Sequence, residues 1–258
     1  MRRASTCLVL LGSIAVGLFG VSGVALGVPS VKLRVKPVPI AGFPHTGDFL
    51  NAGTAVEAEY KITGTEYGGF PPPLIGVNFF SPAGIKLITK GFQTCSPATL
   101  ESKGPEGCSK KSQASPKGEV KGVVAFGGER VHETVSVQAF FSPGGGLAFY
   151  AEGNSPVALF IVSKGNFTTA PKPYGPLLKT EVPLVSTVPG APYASIESIK
   201  IKVGAAYKKG KKPVYYINTP KRCPKGGFPV KSELLYAATE TQPAVTALTS
   251  YTVPCPKK

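Results

Sequence analysis

Tryptophan is absent from this 258-residue chain, Asp48 is its one aspartate, and His45 and His132 are its two histidines. Each scarcity argues against a class of chemistry. A single aspartate leaves no Asp-rich calcium loop, no catalytic aspartate pair and no spare member for an Asp-based triad. The cysteines form no C-x-x-C pair, and neither histidine has ligand-like spacing to them, so no zinc site is expected. The G-x-S-x-G nucleophile elbow is missing. Its nearest approach, Gly153-Asn154-Ser155-Pro156, places proline directly after the serine and reads as a turn. Gly127-Gly128 and Gly144-Gly145-Gly146 lack a following helix and read as hairpin turns rather than phosphate cradles. The lack of tryptophan also counts against a carbohydrate-binding module.

The remaining titratable clusters are thin. His132 stands between Glu129 and Glu133, but on a strand Glu133 points to the face opposite His132, so the pair cannot share a site without a bulge. His132 therefore reads as an exposed strand histidine. His45 and Asp48 fall in a loop, Pro44 to Gly53, with no nucleophile beside them. Glycosidase chemistry needs two carboxylates held across a sugar, and no glutamate stands in a telling context. The expectation is no catalytic residue, no cofactor and no metal.

What is present begins with an export segment. Arg2 and Arg3 form a positive start, Cys7 to Leu26 carries no charge, and Ala25-Leu26-Gly27 offers the small residues of a signal-peptidase site. Residues 1–27 are expected to be a signal peptide, cleaved before Val28. An uncleaved anchor is the alternative, since twenty apolar or small residues can just span a bilayer, although Gly12, Gly17, Gly20 and Gly23 weaken that helix. No other stretch is long and apolar enough to cross a membrane. The closing Pro256-Lys257-Lys258 carries neither an L-P-x-T-G signal nor an apolar tail.

Past the signal, Cys95, Cys108, Cys223 and Cys255 remain. An even number in an exported chain predicts disulfides, with three connectivities open. Near neighbours meet most readily, which favours Cys95 with Cys108 and Cys223 with Cys255. On the chain-entropy model these loops stabilise by about 3 and about 4 kcal/mol. Charge is the other strong signal. The formal net charge is +15, and from Leu177 onward thirteen lysines and arginines face only Glu181, Glu197, Glu233 and Glu240. Such a field attracts anionic polymers or lipid head groups without specifying which.

The apolar period is two nearly throughout. Val31-Lys32-Leu33-Arg34-Val35 and Val56 to Ile62 alternate apolar with charged residues. Val131, Val135, Val137, Ala139 and Phe141 share one side of a strand, as do Phe228, Val230, Ser232, Leu234 and Tyr236. Leu74 to Phe80, Val157 to Val162 and Val214 to Ile217 are apolar on both faces and read as central strands. Phe79-Phe80-Ser81-Pro82-Ala83-Gly84 recurs as Phe140-Phe141-Ser142-Pro143-Gly144-Gly145, each a strand end followed by a tight turn. Lys208-Lys209-Gly210-Lys211-Lys212 reads as a charged hairpin tip, and Pro97 to Lys103 as a turn or two of helix. The fold expected over 28–258 is an all-β antiparallel sandwich, Ig-like or jelly-roll-like. The proline-rich stretch 170–176 is either a crossover within one domain or a boundary between two β lobes.

The order of signal peptide, β-rich chain, a cysteine loop opening Gly91-Phe92-Gln93-Thr94-Cys95-Ser96-Pro97 and closing at Cys108, then Cys223-Pro224, Phe228-Pro229 and Pro254-Cys255, resembles a group of uncharacterised exported proteins of soil actinobacteria. The resemblance implies a secreted β-rich protein with two disulfides, and it carries over no catalytic residue.

The functional expectation is a non-enzymatic secreted or cell-envelope-associated protein. Anion binding would rest on Lys208, Lys209, Lys211 and Lys212, reinforced by Lys221, Arg222 and Lys225. Tyr207, Tyr215 and Tyr216 flank that tip and either stack on a ligand or cover the hairpin's apolar side. The partners would be anionic envelope polymers or lipid head groups rather than nucleic acid. The alternative is a secreted hydrolase or carbohydrate-active enzyme whose site is assembled from scattered residues.

Overall fold

The computed structural model describes residues 27–44, 49–155 and 158–256. The export segment up to Leu26, together with His45, Asp48, Lys257 and Lys258, lies outside the described residues. Strands dominate the rest, all paired antiparallel. They begin with β1 (Ser30–Val38), β2 (Gly53–Thr63), β3 (Leu74–Pro82) and the two-residue β4 (Lys86–Leu87). After the short helix α1 (Pro97–Lys103) follow β5 (Gly118–Phe126), β6 (Glu129–Phe141), β7 (Leu147–Gly153), β8 (Leu159–Thr169) and β9 (Tyr174–Glu181). The last third holds β10 (Ser195–Val203), the hairpin β11 (Ala206–Lys209) and β12 (Lys212–Tyr215), β13 (Ile217–Asn218), β14 (Phe228–Tyr236) and β15 (Val245–Val253).

The fold is all-β and sandwich-like, as the period predicts, but both layers belong to one sheet. Its wall runs β15-β14-β3-β9-β8-β7-β6-β5-β10-β2, with β1 on the outer edge of β2, while β13 and β4 extend one end. The two edge strands meet: β1 and β15 lie side by side with Cα atoms within 8 Å. Leu33 and Val35 of β1 join Val230 and Leu234 of β14 and Ala247 of β15 in one buried cluster. An antiparallel sheet whose ends approach in this way is a closed sandwich, or barrel with a seam, and it leaves little edge open for pairing.

Side-chain alternation decides which face looks inward. Along β14, Val230, Ser232, Leu234 and Tyr236 are buried, and along β2, Ala58, Tyr60 and Ile62. The β6–β8 region is apolar on the outer face too, because α1 and its loop pack there. Leu100 of α1 is buried with Phe140, Ala148, Tyr150 and Val162. The helix is short but well ended: Ser96 Oγ accepts from Thr99 N at 3.1 Å, Pro97 occupies the first turn, and the Gly104 N–H donates to Leu100 O. The Cys95–Cys108 disulfide brackets this element, and Cys223–Cys255 ties the chain entering β14 to the chain leaving β15.

Three local expectations take a different form. Residues 170–176 connect two strands that are neighbours in the sheet. They form the turn of the β8–β9 hairpin, with Ala170 N donating to Gly175 O and Tyr174 N to Pro171 O, and the strands on both sides pair in the same sheet. Val214–Ile217 is not one continuous strand, because its first half belongs to the β11–β12 hairpin. In its second half Tyr216 and Ile217 pack inward against Phe141 and Leu147, and Ile217 begins β13, which pairs with β2 on one side and β4 on the other. Finally, the run beginning at Val157 enters its strand at Leu159, and Val157 itself lies outside the described residues.

Candidate functional site

Strand number sets the width of a barrel. About eight strands enclose just enough room for side chains to fill, whereas eleven form this wall. The result is an interior cavity of about 650 Å³. Its walls are the inward positions of nearly every strand, among them Val77 of β3, Val120 of β5, Val135 of β6, Phe149 of β7, Ile161 of β8 and Leu178 of β9. These side chains point away from bulk solvent yet remain only half-buried, because the space in front of them is empty. The cavity extends from Phe228 and Val253 at one end to Glu133 and Leu184 at the other.

The two ends differ. At the first, which holds the end of β10 and the start of β14, Tyr216 packs on Phe141 with ring centroids 4.7 Å apart, and Phe92 joins them. The opposite end is crossed by a strap. Four strands separate β9 from β10 in the sheet, so the connecting segment 182–194 must bridge the opening. Val182 N donates to Ile75 O, Thr187 Oγ1 to Ala125 O and Tyr193 N to the Tyr67 hydroxyl. Pro183, Leu184 and Val185 of this strap line the cavity.

Polar groups in the interior are few, and most are paired. Tyr60 and Ser232 share a hydrogen bond at 3.0 Å, and Ser232 Oγ donates to Asn78 O at 2.9 Å. Burial pushes the Tyr60 phenol well above its ordinary value, so it stays a neutral donor. The Tyr216 and Tyr236 hydroxyls have no hydrogen-bond partner among the described residues, and neither has Glu133, an ionisable carboxyl that is 4% exposed. It lies on the inward face of β6 between Val131 and Val135, and neither carboxylate oxygen has a hydrogen-bond partner among the described residues. Burial raises its pKa above the usual carboxylate value. Gly153 on the neighbouring strand makes room for it, since a methyl group there would collide with Glu133 Oε1 and with Val135. Across on β5 its register partner is Gly122.

Arg130, three residues earlier, lies on the opposite face and does not neutralise this carboxyl. Its guanidinium sits between the rings of Tyr67 and Phe70, 5.1 and 5.0 Å from their centroids, and donates to Ser195 Oγ at 2.8 Å. His132 is also on the outer wall, where Nδ1 lies 3.0 Å from Glu197 Oε2. The pair is solvent-exposed. Among the described residues no group of three His, Cys, Asp or Glu side chains converges as a metal site.

The basic residues fall where the hairpin reading puts them. Lys208 and Lys209 of β11 and Lys211 and Lys212 around the tip are exposed, and Gly210 takes the positive φ of +62° that the turn requires. Lys221, Arg222 and Lys225 are exposed on either side of Cys223, which the second disulfide ties to Cys255. Both groups sit at the end of the barrel where β10 leaves and β14 enters. The tyrosines are structural: Tyr216 is fully buried, Tyr207 packs edge-on against Phe92, and the Tyr215 hydroxyl donates to Pro44 O at 2.6 Å.

Sequence reasoning does not single out Glu133 or the cavity. Position 133 has the same parity as Val131, Val135 and Val137, so a charged residue on an otherwise apolar face was the available signal. No family model matches the chain, and neither a curated protein nor a solved structure matches it.

Proposed function

We propose that this chain is a non-catalytic binding protein that holds an apolar small molecule inside the barrel. One observation carries the reading: the cavity of about 650 Å³ is walled by apolar side chains that are left only half-buried. Protein interiors normally pack to crystal density with few voids larger than a water molecule, and a cavity of 300–1,000 Å³ with apolar walls and a few polar groups is the usual form of a small-molecule site. The wall is hydrogen-bonded antiparallel sheet, so its backbone outlines the space a ligand would fill.

Diphenylhexatriene, an uncharged hydrocarbon fluorophore, tests this directly. It should bind at one molecule per chain with enhanced emission. Ala151→Phe, which fills the cavity from β7, should weaken binding at least tenfold while the protein stays folded. Absence of saturable binding, or a folded Ala151→Phe variant that binds like the parent, would refute the reading.

A second property is favoured by the basic residues sharing one end. We propose that Lys208, Lys209, Lys211 and Lys212, with Lys221, Arg222 and Lys225, attach the protein electrostatically to anionic envelope polymers or lipid head groups. The setting is outside the cytoplasm. It rests on the Arg-apolar-small pattern of residues 1–27 and agrees with two disulfides, and no helix among the described residues is long and apolar enough to cross a membrane. N-terminal sequencing of protein recovered outside the cell should begin within a few residues of Val28; recovery only of membrane-bound protein with an intact Met1 would overturn the export proposal.

A further inference from the structure

Glu133 is a buried carboxyl with neither oxygen hydrogen-bonded among the described residues. A carboxyl group removed from water without a hydrogen bond is destabilising, and an ionised one far more so unless it is paired. Nothing on β6 requires a carboxylate there for folding. Val131, Val135 and Val137 fill the same face, and the cation nearest in sequence, Arg130, faces the other way and is engaged by Ser195 and two aromatic rings. The neighbouring strands provide room, with Gly153 beside the carboxyl and Gly122 opposite it. Burial also raises its pKa, as expected for a carboxyl with no partner among the described residues.

Building on the proposed function, we infer that Glu133 is the polar anchor of the cavity and that the ligand is a lipophilic molecule whose head group is a protonated amine. The two oxygens are covered where they lie beside Gly153. Meeting the ligand requires the side chain to turn from Gly153 toward the lumen, which its position in the cavity wall allows. In that position an ammonium group supplies both the missing hydrogen bonds and the missing charge, inside a medium where each is stronger than in water. A fatty acid fits the apolar walls equally well but brings a second negative charge to a carboxyl that has no cation to share. Selectivity thus follows from head-group charge, and the chain of the ligand lies along Val135, Ile161 and Leu178.

The experiment is displacement of bound diphenylhexatriene at pH 7 by decylamine, decanol and decanoate, which share a chain and differ in the head. On the parent protein decylamine should displace the probe at a concentration at least tenfold below that of decanoate, with decanol between. Glu133→Gln, shown to be folded by circular dichroism, should lose most of the preference for the amine, read as the ratio of the amine and carboxylate concentrations that displace the probe from that variant. Equal displacement by amine and carboxylate on the parent overturns the inference without need of any variant, and so does a folded Glu133→Gln protein that keeps the preference. Failure of the hydrocarbon probe to bind at all is a different result, which removes the cavity reading itself.

Discussion

Glu133 and His132 show how much one step of chain decides in a strand. Adjacent side chains point to opposite faces, so His132 meets solvent and Glu197 on the outer wall while Glu133 enters the apolar interior. The consequence is a pH-dependent stability with a definite sign. Because burial raises the folded-state pKa of Glu133, the folded protein holds its proton over a window in which the unfolded chain has released it. The destabilisation is absent below the ordinary glutamate pKa of 4.5, grows as pH rises, and is complete above the folded-state value. Glu133→Gln should therefore be more stable than the parent at pH 7, with the difference shrinking toward pH 4. Thermal denaturation across that range checks it, and a difference that grows on acidification would refute the assignment.

Among the elements, the β11–β12 hairpin is the clearest case of a segment legible in advance. Four lysines around Gly210 cannot pack against a core, so they stand at a tip whatever the rest of the fold does. Replacing Lys208, Lys209, Lys211 and Lys212 with glutamine should leave stability within about 0.5 kcal/mol of the parent, as for surface positions generally. Retention on anionic wall polymer or anionic vesicles should fall sharply at low salt. For the parent, raising salt toward 1 M shortens the Debye length to about 3 Å and should release the protein. Undiminished retention of the quadruple variant would reduce the tip to a solubility device. The disulfides were equally legible, because near-neighbour cysteines bracket loop-like sequence, and both pairs are formed as expected. Opening the longer loop with Cys223→Ser and Cys255→Ser should cost about 4 kcal/mol on the chain-entropy model, measured by denaturant unfolding. The segments that misled were those whose apolar residues serve another element. Val214 to Ile217 reads as one central strand because it is apolar on both faces, yet Val214 belongs to the exposed hairpin, Tyr216 packs inward between two strands, and Ile217 begins the two-residue β13.

At the scale of the whole molecule the barrel has two unlike ends. Lys208 to Lys212 and Lys221 to Lys225 lie at the end closed by Tyr216. Phe126 and Phe160, at strand ends, and Leu184, Val188 and Tyr193 of the strap are large hydrophobics exposed to solvent on the strap side, with Phe160 and Val188 each 59% exposed. The anchor Glu133 lies near this apolar end, and the cavity joins the two. A ligand that fills the cavity binds the folded state alone, so it should stabilise by about 2.7 kcal/mol at a hundredfold excess over its dissociation constant. Decylamine should accordingly raise the melting temperature of the parent and do so much less for Ala151→Phe, as read by scanning calorimetry. An equal rise for both would place the amine somewhere other than the interior.

Periodicity, turn chemistry and cysteine spacing are local properties, and they were enough to establish an antiparallel all-β chain, its strand faces, the short helix after Ser96, the two disulfides and the basic hairpin. Closure was not local. Whether β1 meets β15, how many strands lie between them, and whether their side chains fill the space inside depend on how the whole sheet curves and on a sum over eleven strands. No window of sequence contains that sum. For the same reason Glu133 reads in sequence as one more strand glutamate, and becomes the unpartnered carboxyl of an apolar cavity only once the wall has closed around it.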